Sequence, residues 1–314
     1  MTTAAPRTQV ITQHRFGGPD VLEPAHRPRP VPAGDEILLR VRAAGVTPQD
    51  RQARSGTAPL YGDPPFTLGS DVSGVVEEVG AEVTGLRPGD EVFGRVDGGG
   101  YAVHLTAPAR HFAVKPASLD HVRAAAVPTA ALTAWQALID IARIGPGTRV
   151  LIHAAAGGVG HVAVQLAKAE GAYVIGTARA DDHTFLRDLG ADEPVEDTAD
   201  FDTVVQDVDV ALDLLGGTHG PHSLSALRPK GLLLCAVPGD LGLSPEDVEG
   251  RGMRFAVVQP EPSAERLTKI AALLASDRIR VHVSAALPFA EVSKAHELGE
   301  GGGVRGALVL VMPD

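Results

Sequence analysis

The chain of 314 residues has a single cysteine, Cys235. That excludes an internal disulfide and any cysteine-rich zinc lobe, and its place in the apolar run Leu232–Val237 predicts a buried thiol. Basic charge is also scarce: 28 Lys and Arg stand against 39 Asp and Glu, a net charge of −11. This balance argues against a nucleic-acid surface and for a small-molecule or protein partner. No apolar run reaches the length of a membrane span; the longest, Ala124–Leu138, also contains Pro128. Met1–Arg7 lacks the apolar centre of a signal peptide, so the expected location is cytoplasmic. Internal repeats and low-complexity segments are missing too.

What is present is a globular composition, 44% hydrophobic and 21% charged, at a length that suggests about two domains. The strongest local signal is Arg149 to Arg179, RVLIHAAAGGVGHVAVQLAKAEGAYVIGTAR. Arg149–His153 alternates like a buried strand, Ala154–Gly160 is a turn of small residues, and His161–Glu170 has helical spacing. Gly171 stops the helix, and Tyr173–Thr177 reads as a second strand. A helix beginning near Gly158 offers unpaired N–H groups and a positive dipole end. Gly157, Gly158 and Gly160 let a pyrophosphate approach them. Against the fingerprint G-x-G-x-x-G, Ala155 holds the first position, Gly157 and Gly160 the others, with Val159 between.

The end of the second strand predicts which dinucleotide. An NAD site usually places Asp or Glu there for the ribose 2′-OH. This chain has Gly176-Thr177-Ala178-Arg179, and a guanidinium pairs with a 2′-phosphate. NADPH is therefore expected, with NADH not excluded.

Residues 1–122 read as a β-rich domain. Val10–His14, Glu36–Val46, Ser73–Val79, Asp90–Gly94 and Tyr101–Leu105 are short strand-like segments, which suggests a partly closed barrel. Residues 123–262 hold the nucleotide domain, opening with a helical region over His121–Ile141 and continuing with strands at Val208–Asp213, Lys230–Val237 and Met253–Val258. A doubly wound parallel sheet follows from this rhythm. Residues 263–314 depart from it: helix Ser263–Ala275, strand Ile279–Ala285, helix Phe289–Leu298 and strand Gly306–Val311 are expected to return to the first domain.

The chain resembles the medium-chain dehydrogenase/reductases, in the zinc-independent, zeta-crystallin-like quinone oxidoreductase branch. The resemblance rests on Ala43-Ala44-Gly45-Val46-Thr47-Pro48-Gln49-Asp50, Pro65-Phe66, Gly69-Ser70-Asp71-Val72-Ser73-Gly74 and Pro88-Gly89-Asp90-Glu91-Val92. It continues through Pro128-Thr129-Ala130, Thr133-Ala134, Ala154–Gly160 and Leu189-Gly190-Ala191-Asp192. It implies a GroES-like barrel beside a Rossmann domain, and a homodimer. Where zinc-dependent relatives carry Cys, His-Glu and Cys, this chain has Thr47, Ser70-Asp71 and Thr129, which do not make a zinc ligand set. The twelve histidines are scattered and read as surface or capping residues.

The family likeness implies that Thr129 and Thr47 face the nicotinamide end, with Val237 and Val258 on its other side. Many relatives carry tyrosines soon after the Asp50 position, whereas here the first is Tyr61, a candidate to bind or protonate substrate. Relatives also often have tyrosine at Asp197 and lysine at Ala307, and a carboxylate at 197 would repel a 2′-phosphate unless turned away. Without a metal, hydride transfer to a carbonyl is hard and conjugate reduction easier. The reading is an NADPH-dependent reductase of a quinone or α,β-unsaturated ketone. An enoyl reductase acting on a polyketide or acyl intermediate, and a non-catalytic dinucleotide-binding protein, are the alternatives.

Overall fold

The structure is a computed structural model that describes residues 6–58, 60–197, 200–217, 219–237 and 242–313. Turn residues cut the first part of the chain into short strands. β1 (Arg7–Thr12) and β2 (Glu23–Pro28) form an antiparallel ribbon with Arg7 opposite Pro28, a terminal position where a missing N–H is tolerated. β3 (Glu36–Val46) follows, then α1 (Pro48–Ser55). This helix is absent from the sequence reading, yet its signals are local: a Thr47/Asp50 capping box, proline in the first turn and Gly56 in the left-handed region at its end. Next come β4 (Asp71–Val79), β5 (Glu91–Arg95), β6 (His104–Pro108) and β7 (Phe112–Val114). The strand expected at Tyr101 starts later because the Tyr101 N–H is held by Leu68 O at 2.8 Å. The single helical region expected over His121–Ile141 is broken into α2 (His121–Ala125), α3 (Pro128–Trp135) and a π-helical stretch, Gln136–Ile141. Val127, preceding a proline, is disfavoured from helical geometry.

The middle of the chain alternates strand and helix: β8 (Arg149–Ile152), α4 (Gly160–Ala169), β9 (Tyr173–Ala178), α5 (His183–Asp188) and β10 (Glu193–Glu196). It continues with β11 (Val208–Asp213), α6 (His219–Ala226), β12 (Leu227–Cys235), α7 (Pro245–Gly250) and β13 (Arg254–Val257). These strands form one parallel sheet in the order β10-β9-β8-β11-β12-β13. That is the doubly wound Rossmann order, whose ligand crevice lies at the carboxyl ends of the strands where the order reverses, between β8 and β11. The inner strands are buried along their length, as helices on both faces require. Leu151, Ile175, Ala211, Leu224 and Leu233 meet in the core.

The tail adds α8 (Ala264–Ala275), β14 (Val283–Pro288), α9 (Val292–Glu300) and β15 (Ala307–Val311). The strand expected from Ile279 starts at Val283, because Gln165 holds both the N–H and the carbonyl of Arg280, at 2.8 and 2.9 Å. β15 pairs antiparallel with β3, Leu308 opposite Val46. β4 takes one edge of β3; the other is shared end to end by β6, over Glu36–Arg40, and β15, over Ala43–Val46. With β5, β7 and β14 this makes the seven-stranded sheet of the GroES-like domain. Its core gathers Leu39, Val41, Val72, Val92, Leu105 and Leu310. Two compact units result: Met1–Thr129 with Glu261–Asp277 and Val281–Asp314, and Ala130–Pro260 with Arg278–Arg280. Among the described residues no helix is long and apolar enough to cross a membrane.

Candidate functional site

In the parallel-sheet unit the fingerprint residues form the passage from β8 to α4. Ala154 adopts a φ of +45°, the Ala155 N–H bonds Thr177 O at 2.9 Å, and the Gly157 N–H bonds Ala154 O at 2.9 Å. The helix closes on Gly157 O through the His161 N–H at 3.0 Å. Among the described residues the N–H groups of Gly158, Val159 and Gly160 take no backbone carbonyl. They are the open donors of a helix start, the chemistry that fits a pyrophosphate. Only glycine suits position 160, since a Cβ there would stand 2.3 Å from Ala154 O. The alanine at the first fingerprint position is matched in β9 by Gly176, where a Cβ would come within 2.9 Å of the Ala155 methyl.

Beneath this turn lies a buried histidine that the sequence reading placed on the surface. His153 is fully buried, its Nδ1 3.1 Å from Thr177 Oγ1 and its Nε2 2.9 Å from Ser223 Oγ. Ser223 donates its proton to His219 O at 2.8 Å, so it accepts from His153 Nε2–H, and Nδ1 accepts from Thr177. Burial drives the His153 pKa down to about 4 and keeps the ring neutral. Thr177, expected at the cofactor, therefore turns its hydroxyl into the core and holds the turn through its carbonyl. His161 and His296 are also fully buried, and His111 nearly so. For His153, His161 and His296 the expectation of surface or capping residues fails, because ring nitrogens with fixed partners can be buried.

At the carboxyl end of β9 the Arg179 side chain is 63% exposed, with Asp182 at 3.5 Å. Asp197 stands beside this strand end, its N–H on Ala178 O at 2.9 Å and its carboxylate 3.4 Å from His219 Nε2. Val237 follows β12 and is half-buried; Val258 follows β13, is buried, and donates its N–H to Cys235 O at 2.7 Å. The fingerprint turn, Thr177, Arg179, Val237 and Val258 thus all gather at the carboxyl ends of the parallel strands. Burial pushes the Cys235 thiol up to about 11, that of an inert structural residue.

In the GroES-like unit, Thr47, Tyr61 and Thr129 sit in separate hydrogen-bonded groups. Thr47 Oγ1 donates to Asp50 Oδ2 at 2.7 Å and accepts from the Asp50 N–H at 3.2 Å. Its hydroxyl proton is therefore committed to capping α1. Asp50 is fully buried, which raises its pKa against the lowering effect of Thr47, and it holds the Gly69 N–H at 3.0 Å. The Tyr61 hydroxyl lies 3.1 Å from Ser70 Oγ, its ring against Phe66. Burial, with the nearby charge of Asp50, raises the Tyr61 pKa and keeps the phenol protonated.

Thr129 belongs to a relay absent from the sequence reading. Arg95 Nε–H donates to Thr129 Oγ1 at 3.2 Å, and that hydroxyl donates to Asp71 Oδ1 at 2.6 Å. The Thr129 N–H reaches both Asp71 oxygens at 3.0 Å. Burial raises the Asp71 pKa to about 7, against these bonds and the charge of Arg95. The sequence marked Asp71 and Thr129 within family motifs and as departures from a zinc ligand set, and family likeness put Thr129 at the nicotinamide end, but nothing joined the two, and Arg95 had no local pattern to mark it. Among the described residues no group of three or more His, Cys, Asp or Glu could hold a metal ion.

Comparison with known proteins agrees with this architecture. The family model of the alcohol dehydrogenase GroES-like domain matches residues 33–117, and that of zinc-binding dehydrogenases matches residues 189–310. The quinone oxidoreductase of Sus scrofa is 30% identical over 99% of this chain and 100% of its own length. The solved quinone oxidoreductase of Coxiella burnetii is 33% identical with a TM-score of 0.93, covering 98% of this chain and all of the other. A mycobacterial protein solved in complex with NADPH is 30% identical with a TM-score of 0.88, over 97% of this chain and 99% of its own. With likeness running the length of both chains and both domains matched in order, this protein belongs to the medium-chain dehydrogenase/reductase superfamily, as an oxidoreductase of its quinone oxidoreductase branch.

Proposed function

We propose that the protein is a zinc-independent, NADPH-dependent reductase of activated double bonds, acting on a quinone or an α,β-unsaturated ketone. The observation that carries this reading is the set of open amides at Gly158, Val159 and Gly160, with Arg179 exposed beyond the next strand. The amides would hold a pyrophosphate and Arg179 a 2′-phosphate. Asp197, whose carboxylate lies 3.4 Å from His219 Nε2, would oppose that phosphate. Val237 and Val258 would line the nicotinamide. The cofactor's chemistry is to supply a hydride from C4 of its nicotinamide. A hydride added to the β-carbon of an enone, or to a quinone ring, leaves charge on a distant oxygen, which needs a hydrogen-bond donor. Tyr61, protonated and 3.1 Å from Ser70 Oγ, is the donor this unit offers. The hydroxyl and amide of Thr129 hold Asp71, with the Arg95 guanidinium on that hydroxyl, a donor set that orients and donates rather than ligating zinc.

Steady-state oxidation of NADPH over a panel of quinones, enones and enoyl thioesters tests the proposal. Quinones or enones should turn over, and NADPH should be preferred to NADH. Turnover confined to enoyl thioesters would move the assignment to acyl intermediates. Tight cofactor binding with no turnover on any member would make the protein a binder.

A further inference from the structure

Arg95 has two ends with different duties. Its Nε–H holds Thr129, while its terminal guanidinium nitrogens make no hydrogen bond among the described residues. The side chain lines a cavity of about 200 Å³ with Gln49, Leu60, Tyr61, Ser70 and Asp97. Asp71, which faces Arg95 through Thr129, is partly protonated near neutral pH and so offsets the cation incompletely. A half-buried guanidinium fork without a partner, beside two hydroxyls and an amide, is the chemistry that receives a carboxylate in two parallel bonds.

We propose that this cavity is a subsite for an anionic group on the acceptor, a carboxylate carried by the quinone or enone and held by the terminal nitrogens of Arg95. The inference rests on the reductase reading above and narrows its substrate class. A neutral acceptor would leave the guanidinium partly desolvated and unpaired, so the site should favour acidic acceptors. Asp97, exposed at the cavity, opposes an anion, but solvent screens it.

Calorimetric titration with 2,5-dihydroxybenzoate and with hydroquinone, neither of which can accept a hydride, measures the preference without turnover. The wild type should bind the acid about ten- to a hundredfold more tightly. Arg95→Gln, checked for folding by circular dichroism, should abolish that ratio, and Asp97→Asn should widen it severalfold. Arg95→Lys keeps a charge without the fork and should retain part of the ratio. If Arg95→Gln does not fold, an undiminished ratio in Arg95→Lys overturns the two-bond assignment. Equal affinities in the wild type, or a ratio that survives in folded Arg95→Gln, overturn the subsite. A protein that shows the preference yet oxidises no NADPH with any quinone or enone refutes the reductase reading alone.

Discussion

Replacing Asp71 by asparagine tests whether the carboxyl beneath Thr129 carries a proton near neutral pH. Its pKa in the fold is about 7, against about 3.9 in an unfolded chain. Between those values the folded state binds one more proton, so stability falls as the pH rises. The contribution is complete below pH ~4 and is lost as the pH climbs through about 7. A gap of about three pH units, at about 1.4 kcal/mol per unit, makes an upper bound of about 4 kcal/mol. Asparagine does not titrate. The stability of Asp71→Asn minus that of the wild type should therefore rise by up to about 4 kcal/mol from pH 4 to pH 8. His153 and His296, lowered by burial to about 4 and about 3, act in the opposite sense, gaining stability as the pH rises. They are present in both proteins and cancel in the difference. Urea melts followed by circular dichroism at half-unit intervals give the curve. A difference that stays flat across the range refutes the reasoning, because it means a carboxylate ionised throughout.

The fingerprint turn separates binding from folding. Gly158→Val should abolish NADPH binding with the melting temperature nearly unchanged, while Gly160→Ala should lower both, its Cβ meeting Ala154 O at 2.3 Å. Cofactor titration beside thermal melts shows whether the two variants part in this way. Arg179→Ala removes a charge-assisted contact of about 1.5–3 kcal/mol, so NADPH affinity should fall by one to two decades while NADH affinity barely moves. Asp197→Asn should tighten NADPH severalfold; equal weakening of both cofactors by Arg179→Ala would reduce the arginine to packing on adenine. Dialysis against a strong chelator should leave activity and melting temperature unaltered, and stoichiometric zinc lost together with activity would overturn the zinc-independent reading.

The parts of this fold that were legible in the sequence are those whose signals lie close together in the chain. The strand–turn–helix–strand of residues 149–178 declares itself in one window, and Gly157 and Gly160 of its turn are placed by contacts with Ala154 and Ala155 only a few residues away. Helix α1 is equally local, but its charged sequence PQDRQARS carries no apolar stripe, so periodicity misses it and only its capping box marks it. The β1–β2 ribbon was half seen, because Pro24 and Pro28 hide the second strand among turn signals. The Arg95–Thr129–Asp71 relay joins residues distant in sequence through β5, β4 and the start of α3. No spacing rule reaches across such distances. His153 shows the same limit: its partners Thr177 and Ser223 lie on two other elements, and only the sheet brings them to one ring.

The shared edge of β3 has a consequence for how the protein is made. As the chain leaves the ribosome, all six strands of the parallel sheet, through Val257, emerge before β15 exists. That sheet can close while the nascent chain is still being extended, whereas Ala43–Val46 of β3 must wait with one edge open until Ala307–Val311 arrives. The portion synthesised first is thus completed last, and in the interval it presents an unpaired strand edge that invites association with other chains. A stop codon that removed only β15 would make that interval permanent.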